Sequence, residues 1–180
     1  EAGFSGGVSV AAGNLDGNAG TDNIVVATGP GTESRVRVFS TRLPAPGQAP
    51  AVFGQFSPYP GQRGGVTVTV GMIEAASGRN SIITAPGPGQ PATIRAFRYE
   101  VENPEFCGPG SGPARIAEFL AFDAAYKGGV TLASDWMSAG EGGAQMIVVG
   151  QRAAPGEVRV YSSGSALDGY PPMYNQSPTH

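Results

Sequence analysis

The sequence predicts an all-β fold built from three copies of one unit, and three observations carry that prediction. The first is repetition. Gly6-Gly7-Val8-Ser9-Val10 returns 58 residues on as Gly64-Gly65-Val66-Thr67-Val68, and 122 residues on as Gly128-Gly129-Val130-Thr131-Leu132. The same offsets carry Val36-Arg37-Val38-Phe39 onto Ile94-Arg95-Ala96-Phe97 and Val158-Arg159-Val160-Tyr161. Self-similarity at a long fixed period marks architectures in which one supersecondary unit stacks on the next. The second is period-two alternation of β-branched residues, a strand signal. The third is the placing of the 29 glycines and 16 prolines. They cluster between apolar runs instead of diluting them, which reads as short strands with turns and not as disorder.

The pieces follow in the same order in each unit. An alternating run opens it, with Val8, Val10 and Ala12 against Ser9 and Ala11, and with Val66, Val68 and Val70 against Thr67 and Thr69. A polar loop follows, running from Asn14 to Asp22 in the first copy. A continuous apolar run comes next: Ile24-Val25-Val26-Ala27, Ile82-Ile83-Thr84-Ala85 and Met146-Ile147-Val148-Val149. Such a run reads as a strand buried on both faces. Turns follow at Gly29-Pro30-Gly31, Pro86-Gly87-Pro88-Gly89 and Ala154-Pro155-Gly156; these residues supply the positive and the fixed φ that tight turns need. A third strand carries Arg37, Arg95 and Arg159 at matched positions. A fourth is expected at Ala51–Phe56, Ile116–Phe122 and Met173–Gln176. The longest insertion, Glu100–Ala114, contains Cys107.

Four short antiparallel strands in about sixty residues describe one blade of a β-propeller. The expected organisation is a single repeat domain over residues 1–180, with blades at 4–56, 64–122 and 128–176. Propellers close with roughly four to eight blades. Three blades therefore imply a partial propeller, or a ring completed by further chain or by other copies. The strand Gly7–Ala12 and the tail Gly169–Gln176 are the contact segments expected at such a junction.

Composition narrows the function. A formal net charge of −3 leaves no basic footprint for nucleic acid. No apolar run reaches the ~20 residues of a membrane-spanning helix. Cys107 is the only cysteine and cannot form a disulfide within one chain. His180, the only histidine, is the last residue, a poor place to hold an imidazole for a catalytic triad or a zinc ion. Glu33, Glu74, Glu118 and Glu141 share no register and read as solvated surface groups, not as a carboxylate pair for glycoside hydrolysis. The expectation is a protein that is not an enzyme.

The matched arginines leave two readings open. They are repeated contacts to an anion or a glycan, or each lays its stem over a neighbouring unit and pairs with an acid. Phe39, Phe97 and Tyr161, at one repeat position, read as core between units. Trp136 stands where the first copy has Asn14, so it is a candidate ligand contact, as are Tyr170 and Tyr174 in the apolar tail.

The segment Phe4-Ser5-Gly6-Gly7-Val8-Ser9-Val10-Ala11-Ala12-Gly13-Asn14-Leu15-Asp16-Gly17-Asn18, with Asp22-Asn23-Ile24-Val25-Val26 and Gly29-Pro30-Gly31, resembles an FG-GAP repeat, also called VCBS-type. The likeness is clearest in the first copy; the second keeps the strands and the turn Ala85-Pro86-Gly87, the third mainly the strands. The resemblance implies propeller blades like those of integrin α-chain heads and of some lectins. It also implies an extracellular, cell-surface or periplasmic setting and a non-catalytic role in protein binding or assembly, with other subunits or copies of the same chain as partners. A carbohydrate-binding, lectin-like propeller is the alternative. Finally, it implies one weakly bound Ca²⁺ in the first copy, held by Asn14, Asp16, Asn18 and Asp22. Only two of these carry charge, so affinity is expected at the weak, extracellular end of the range. The matched positions of the second copy, Met72, Glu74, Ala76 and Asn80, and of the third, Trp136, Ser138, Gly140 and Ala144, lack the oxygens a hard cation needs.

Overall fold

The computed structural model describes residues 4–17, 20, 22–40, 47–74, 78–99, 113–139, 142–162 and 174–176. Among them there is no helix; the strands form three antiparallel sheets of four, and none closes into a barrel. The first sheet is β1 (Val8–Gly13), β2 (Asn23–Thr28), β3 (Val36–Phe39) and β4 (Val52–Phe56). The second is β5 (Val66–Gly71), β6 (Ser81–Pro86), β7 (Thr93–Arg98) and β8 (Ala114–Leu120). The third is β9 (Val130–Ala139), β10 (Gly142–Gln151), β11 (Val158–Ser162) and β12 (Tyr174–Gln176). Within each sheet the strands neighbour one another in chain order, as in a meander. Gly7, Gly65 and Gly129, just before the first strand of each sheet, take φ of 72, 87 and 77°. A side chain is strained in that left-handed region, so the second glycine of each Gly-Gly pair is a backbone requirement.

The sheets stack on one another in chain order, and the core lies between them. Val25, Ala27, Val36 and Val38 of the first sheet pack with Val66, Val68, Ile82 and Phe97 of the second. Ile83, Ala85, Ile94 and Ala96, on the opposite face of the second sheet, pack with Val130, Ile147, Val149 and Tyr161 of the third. Burying each aliphatic side chain is worth roughly 1.5–3 kcal/mol, so these two layers dominate the stability.

Three expectations change here. The apolar second strand is buried on both faces only in β6, where every residue is buried. In β2, buried and half-buried residues alternate. The cause is position: the second sheet has a neighbour on each side, and the first has only one. The offset of 122 also fails at β10. Val149 pairs with Leu132 and Gly150 with Thr131, whereas Val10 pairs with Val26 and Ser9 with Ala27. Val149 therefore matches Val26, 123 residues on. One extra residue in the long β9–β10 hairpin, with 10 residues in each strand, absorbs the shift. Gln145, not Ala144, thus matches Asp22. The fourth strand of the second sheet also ends early, at Leu120, so Ala121 and Phe122 lie beyond it.

Candidate interaction surface

The matched arginines join the sheets. The Arg95 guanidinium lies 4.8 Å from the Tyr59 ring centroid. Its Nε donates to Glu118 at 2.7 Å and its Nη1 to the Pro58 carbonyl at 2.5 Å. Arg159 repeats the arrangement one sheet later: it stacks 4.9 Å above Phe122, with Nε on Glu157 at 2.6 Å and Nη1 on the Ala121 carbonyl at 2.9 Å. Of the two readings left open, both arginines thus follow the second: each covers a ring of the preceding sheet and pairs with an acid. Arg37 has no preceding sheet to cover. It is exposed and has no ion-pair partner among the described residues.

Polar groups complete the contact between sheets. Tyr59, fully buried, donates toward the carbonyls of Thr84 at 2.9 Å and Thr93 at 2.8 Å and lies 3.1 Å from Thr84 Oγ1. Burial pushes its phenol well above the usual tyrosine range. Tyr161 donates to the Ala121 carbonyl at 2.7 Å, and burial raises its phenol as well. Between the first strands of successive sheets run short hydroxyl contacts: Ser9 Oγ accepts from Val68 N–H at 3.1 Å, and Thr69 and Ser134 share a bond of 2.9 Å. The polar alternates of the opening strand therefore serve as the seam between units.

Each sheet has a leading face, which packs back on the preceding sheet, and a trailing face, which receives the next. The leading face of the first sheet is uncovered. Val8 and Val10 are 59% and 58% exposed, whereas their repeat equivalents Val66 and Val68 are 5% and 4% exposed. Phe4, Val8, Val26, Arg35, Arg37 and Phe39 line a groove of ≈ 160 Å³ there. At the other end, the trailing face of the third sheet leaves Val158 37% exposed, while its equivalents Val36 and Ile94 are at 0%. A second groove, ≈ 400 Å³, runs along the Gly-Gly and Gly-Pro turns, lined by Gly6, Gly7, Gly64, Gly65, Pro30 and Pro88 among others. Among the described residues, its wall contains no carboxylate, histidine or cysteine.

The residues singled out for calcium fall in a turn. Asn14 Oδ1 accepts from Gly17 N–H at 2.7 Å, and Asn23 Oδ1 accepts from Leu15 N–H at 3.1 Å. In both bonds a side-chain amide oxygen replaces a backbone acceptor, Asn14 closing the turn three residues on and Asn23 tying the loop back to the start of β2. Asp16 is half-buried and Asp22 exposed; Asn18 lies outside the described residues. Among the described residues no three His, Cys, Asp or Glu side chains gather in a metal-binding group. The loop therefore offers two carboxylates and an amide oxygen already engaged once, a donor set that fits at most a weak, largely hydrated cation.

Trp136, on β9, is 52% exposed, its backbone N–H bonded to Asp135 Oδ1 at 2.7 Å. Tyr174 opens β12. Tyr170, Cys107, Glu141 and His180 lie outside the described residues, as does most of the tail 169–176. Glu33 is exposed as expected. Glu74 and Glu118 are not simply solvated: Arg98 Nε donates to Glu74 at 2.7 Å, and Glu118 takes bonds from Arg95 and Arg115. Sequence reasoning passed over Tyr59, although it and Phe122 each stand four residues past the partner of the matched arginine, Gln55 and Glu118 respectively. No helix among the described residues is long and apolar enough to cross a membrane.

Compared with known proteins, the chain matches no protein-family model, no curated protein and no solved structure.

Proposed function

We propose that the three sheets are consecutive blades of a β-propeller arc of FG-GAP type, and that the protein is a non-catalytic, extracellular or cell-surface module for protein binding or assembly. The observation that carries this reading is the unequal covering of equal faces. Residues buried at both faces of the second sheet recur, nearly unchanged, at one face of the first and one of the third, where Val8, Val10 and Val158 are exposed. Apolar surface repeated at the ends of a stack is surface built to meet another protein. The exposed Trp136 belongs to the same reading as a rim contact. The lectin alternative gains no observation of its own, since the stacked arginines serve the seams between sheets.

The test uses a dye that reports exposed apolar surface, 8-anilinonaphthalene-1-sulfonate. The purified chain should bind it, and Val8→Asp/Val10→Asp should lose much of that fluorescence with an unchanged unfolding midpoint. Equal fluorescence from both proteins would mean that the first sheet's face is not the open surface.

A further inference from the structure

Resting on the reading of the sheets as stacked blades, we propose that Asp22 and Asp135 together keep the third sheet of a second copy off the open leading face of the first sheet.

The chain specifies what a leading face meets, because it contains two filled examples. In both, a bare glycine ends the first strand of the receiving sheet, and an amide side chain of the incoming sheet lies against it. A Cβ on Gly13 would stand 2.6 Å from Val70 Cγ1 and 3.0 Å from Asn80 Nδ2. A Cβ on Gly71 would stand 2.9 Å from both Gln145 Nε2 and Ser134 Oγ. At distances under 3.0 Å the neighbouring side chains would have to shift to admit the added atom. Gln145 also accepts from Met72 N–H at 3.2 Å, tying the incoming sheet to the loop beside that glycine. Both filled junctions thus set glycine on one side against a neutral amide on the other.

A second copy added head to tail would break both requirements at once. At the glycine position the third sheet carries Asp135, opposite Met146 as Gly71 is opposite Ser81. At the amide position the first sheet carries Asp22. Docking the two faces would set one carboxylate on another, with an acidic side chain where both filled junctions have a bare glycine. Like charges brought together and stripped of water oppose association strongly. Asp22 remains compatible with a partner that presents glycine there, since a bare backbone adds no charge. Arg37 names a second feature of that partner: an aromatic ring beside a free carbonyl, as Tyr59 and Pro58 supply to Arg95 and Phe122 and Ala121 to Arg159. What that face fits is therefore an apolar β-sheet face with a glycine at its close-approach point and an aromatic at its rim.

Sedimentation equilibrium of the whole chain tests this, with the chain itself as probe. In Asp22→Asn/Asp135→Gly the block is removed, so the third sheet becomes a receiving face. The double variant should gain a concentration-dependent association step, at least doubling its mass, that adding Val10→Asp removes and that the wild type lacks. A double variant that gains no such step overturns the proposal. Wild-type self-association that Val10→Asp abolishes also overturns it, because a second copy then already fills the face. Dye binding on the same samples separates this from failure of the blade reading: a wild type whose fluorescence ignores Val8 and Val10 undermines the open face itself, whereas a normal dye response with no association of the double variant refutes only the exclusion of a second copy by Asp22 and Asp135.

Discussion

Removing one oxygen atom, in Tyr59→Phe, tests how the first two sheets are held together. The ring stays, so its packing in the core between the sheets and its stacking under Arg95 are retained. What goes is a hydroxyl that lies 2.8 and 2.9 Å from two carbonyls of the second sheet and 3.1 Å from Thr84 Oγ1. A hydroxyl has one proton, so it donates to one carbonyl fully or is shared between the two. Loss of that bond, with a buried acceptor left short of a donor, costs about 1–2 kcal/mol. For a chain of this size each kcal/mol moves the unfolding midpoint by about 2–4 °C. Tyr59→Ala removes the ring as well and should cost about 3–5 kcal/mol. Thermal and urea unfolding followed by circular dichroism, with reversibility checked, measures both. If Tyr59→Phe unfolds at the wild-type midpoint while Tyr59→Ala does not, the hydroxyl does not bridge the sheets and the polar part of the junction is wrong.

Other outcomes follow from the same geometry. Gly71→Ala should destabilise by about 1–3 kcal/mol through overpacking against Ser134 and Gln145, whereas Gly47→Ala, in open space at a φ of 86°, should incur only backbone strain; paired denaturation curves compare them. Val68→Asp, which buries a charge between two sheets, should prevent folding, while Val10→Asp at the matched exposed position should leave the unfolding midpoint within about 0.5 kcal/mol of wild type. The phenols of Tyr59 and Tyr161 are raised in the folded state, so they remain protonated where the unfolded chain ionises near 10.0. Their contribution is complete below pH 10 and is lost as pH climbs through and past that value; urea midpoints between pH 8 and 11 should fall in the wild type and fall less in Tyr59→Phe. Isothermal titration should give at most weak Ca²⁺ binding, in the ~10⁻⁴–10⁻³ M range, reduced in Asp16→Ala; no heat at millimolar Ca²⁺ removes the metal from the account.

The legible part of the fold was what repeats. The matched glycines, valines and arginines lie at matched places because each copy meets the same neighbour: Val66 and Val130 both pack against the preceding sheet. What the pattern hid was the ends of the stack. Val8 and Val66 are the same letter in the same register, yet one is open and the other buried, since burial depends on whether a sheet precedes, which no local window contains. The slip at β10 was hidden for a related reason. Met146-Ile147-Val148-Val149 is apolar throughout, so moving it by one residue costs nothing in hydrophobicity, and only pairing with β9 fixes which side chains face the core. Asp135 was invisible as a departure until the structure showed that its counterparts Gly13 and Gly71 lie close against side chains of the next sheet.

The stacking of the sheets in chain order is tested most directly by a crosslink across one seam. Thr69 on β5 and Ser134 on β9 belong to different sheets, yet their hydroxyls are 2.9 Å apart. In a Cys107→Ser background, Thr69→Cys/Ser134→Cys should oxidise rapidly to a disulfide within one chain, read by mass spectrometry of the peptides and reversed by reductant. The same background with Val10→Cys/Ser134→Cys, which places one thiol on the open face of the first sheet, should stay reduced within the chain. A double-cysteine pair at Thr69 and Ser134 that remains free, or that links only separate molecules, would contradict the stack.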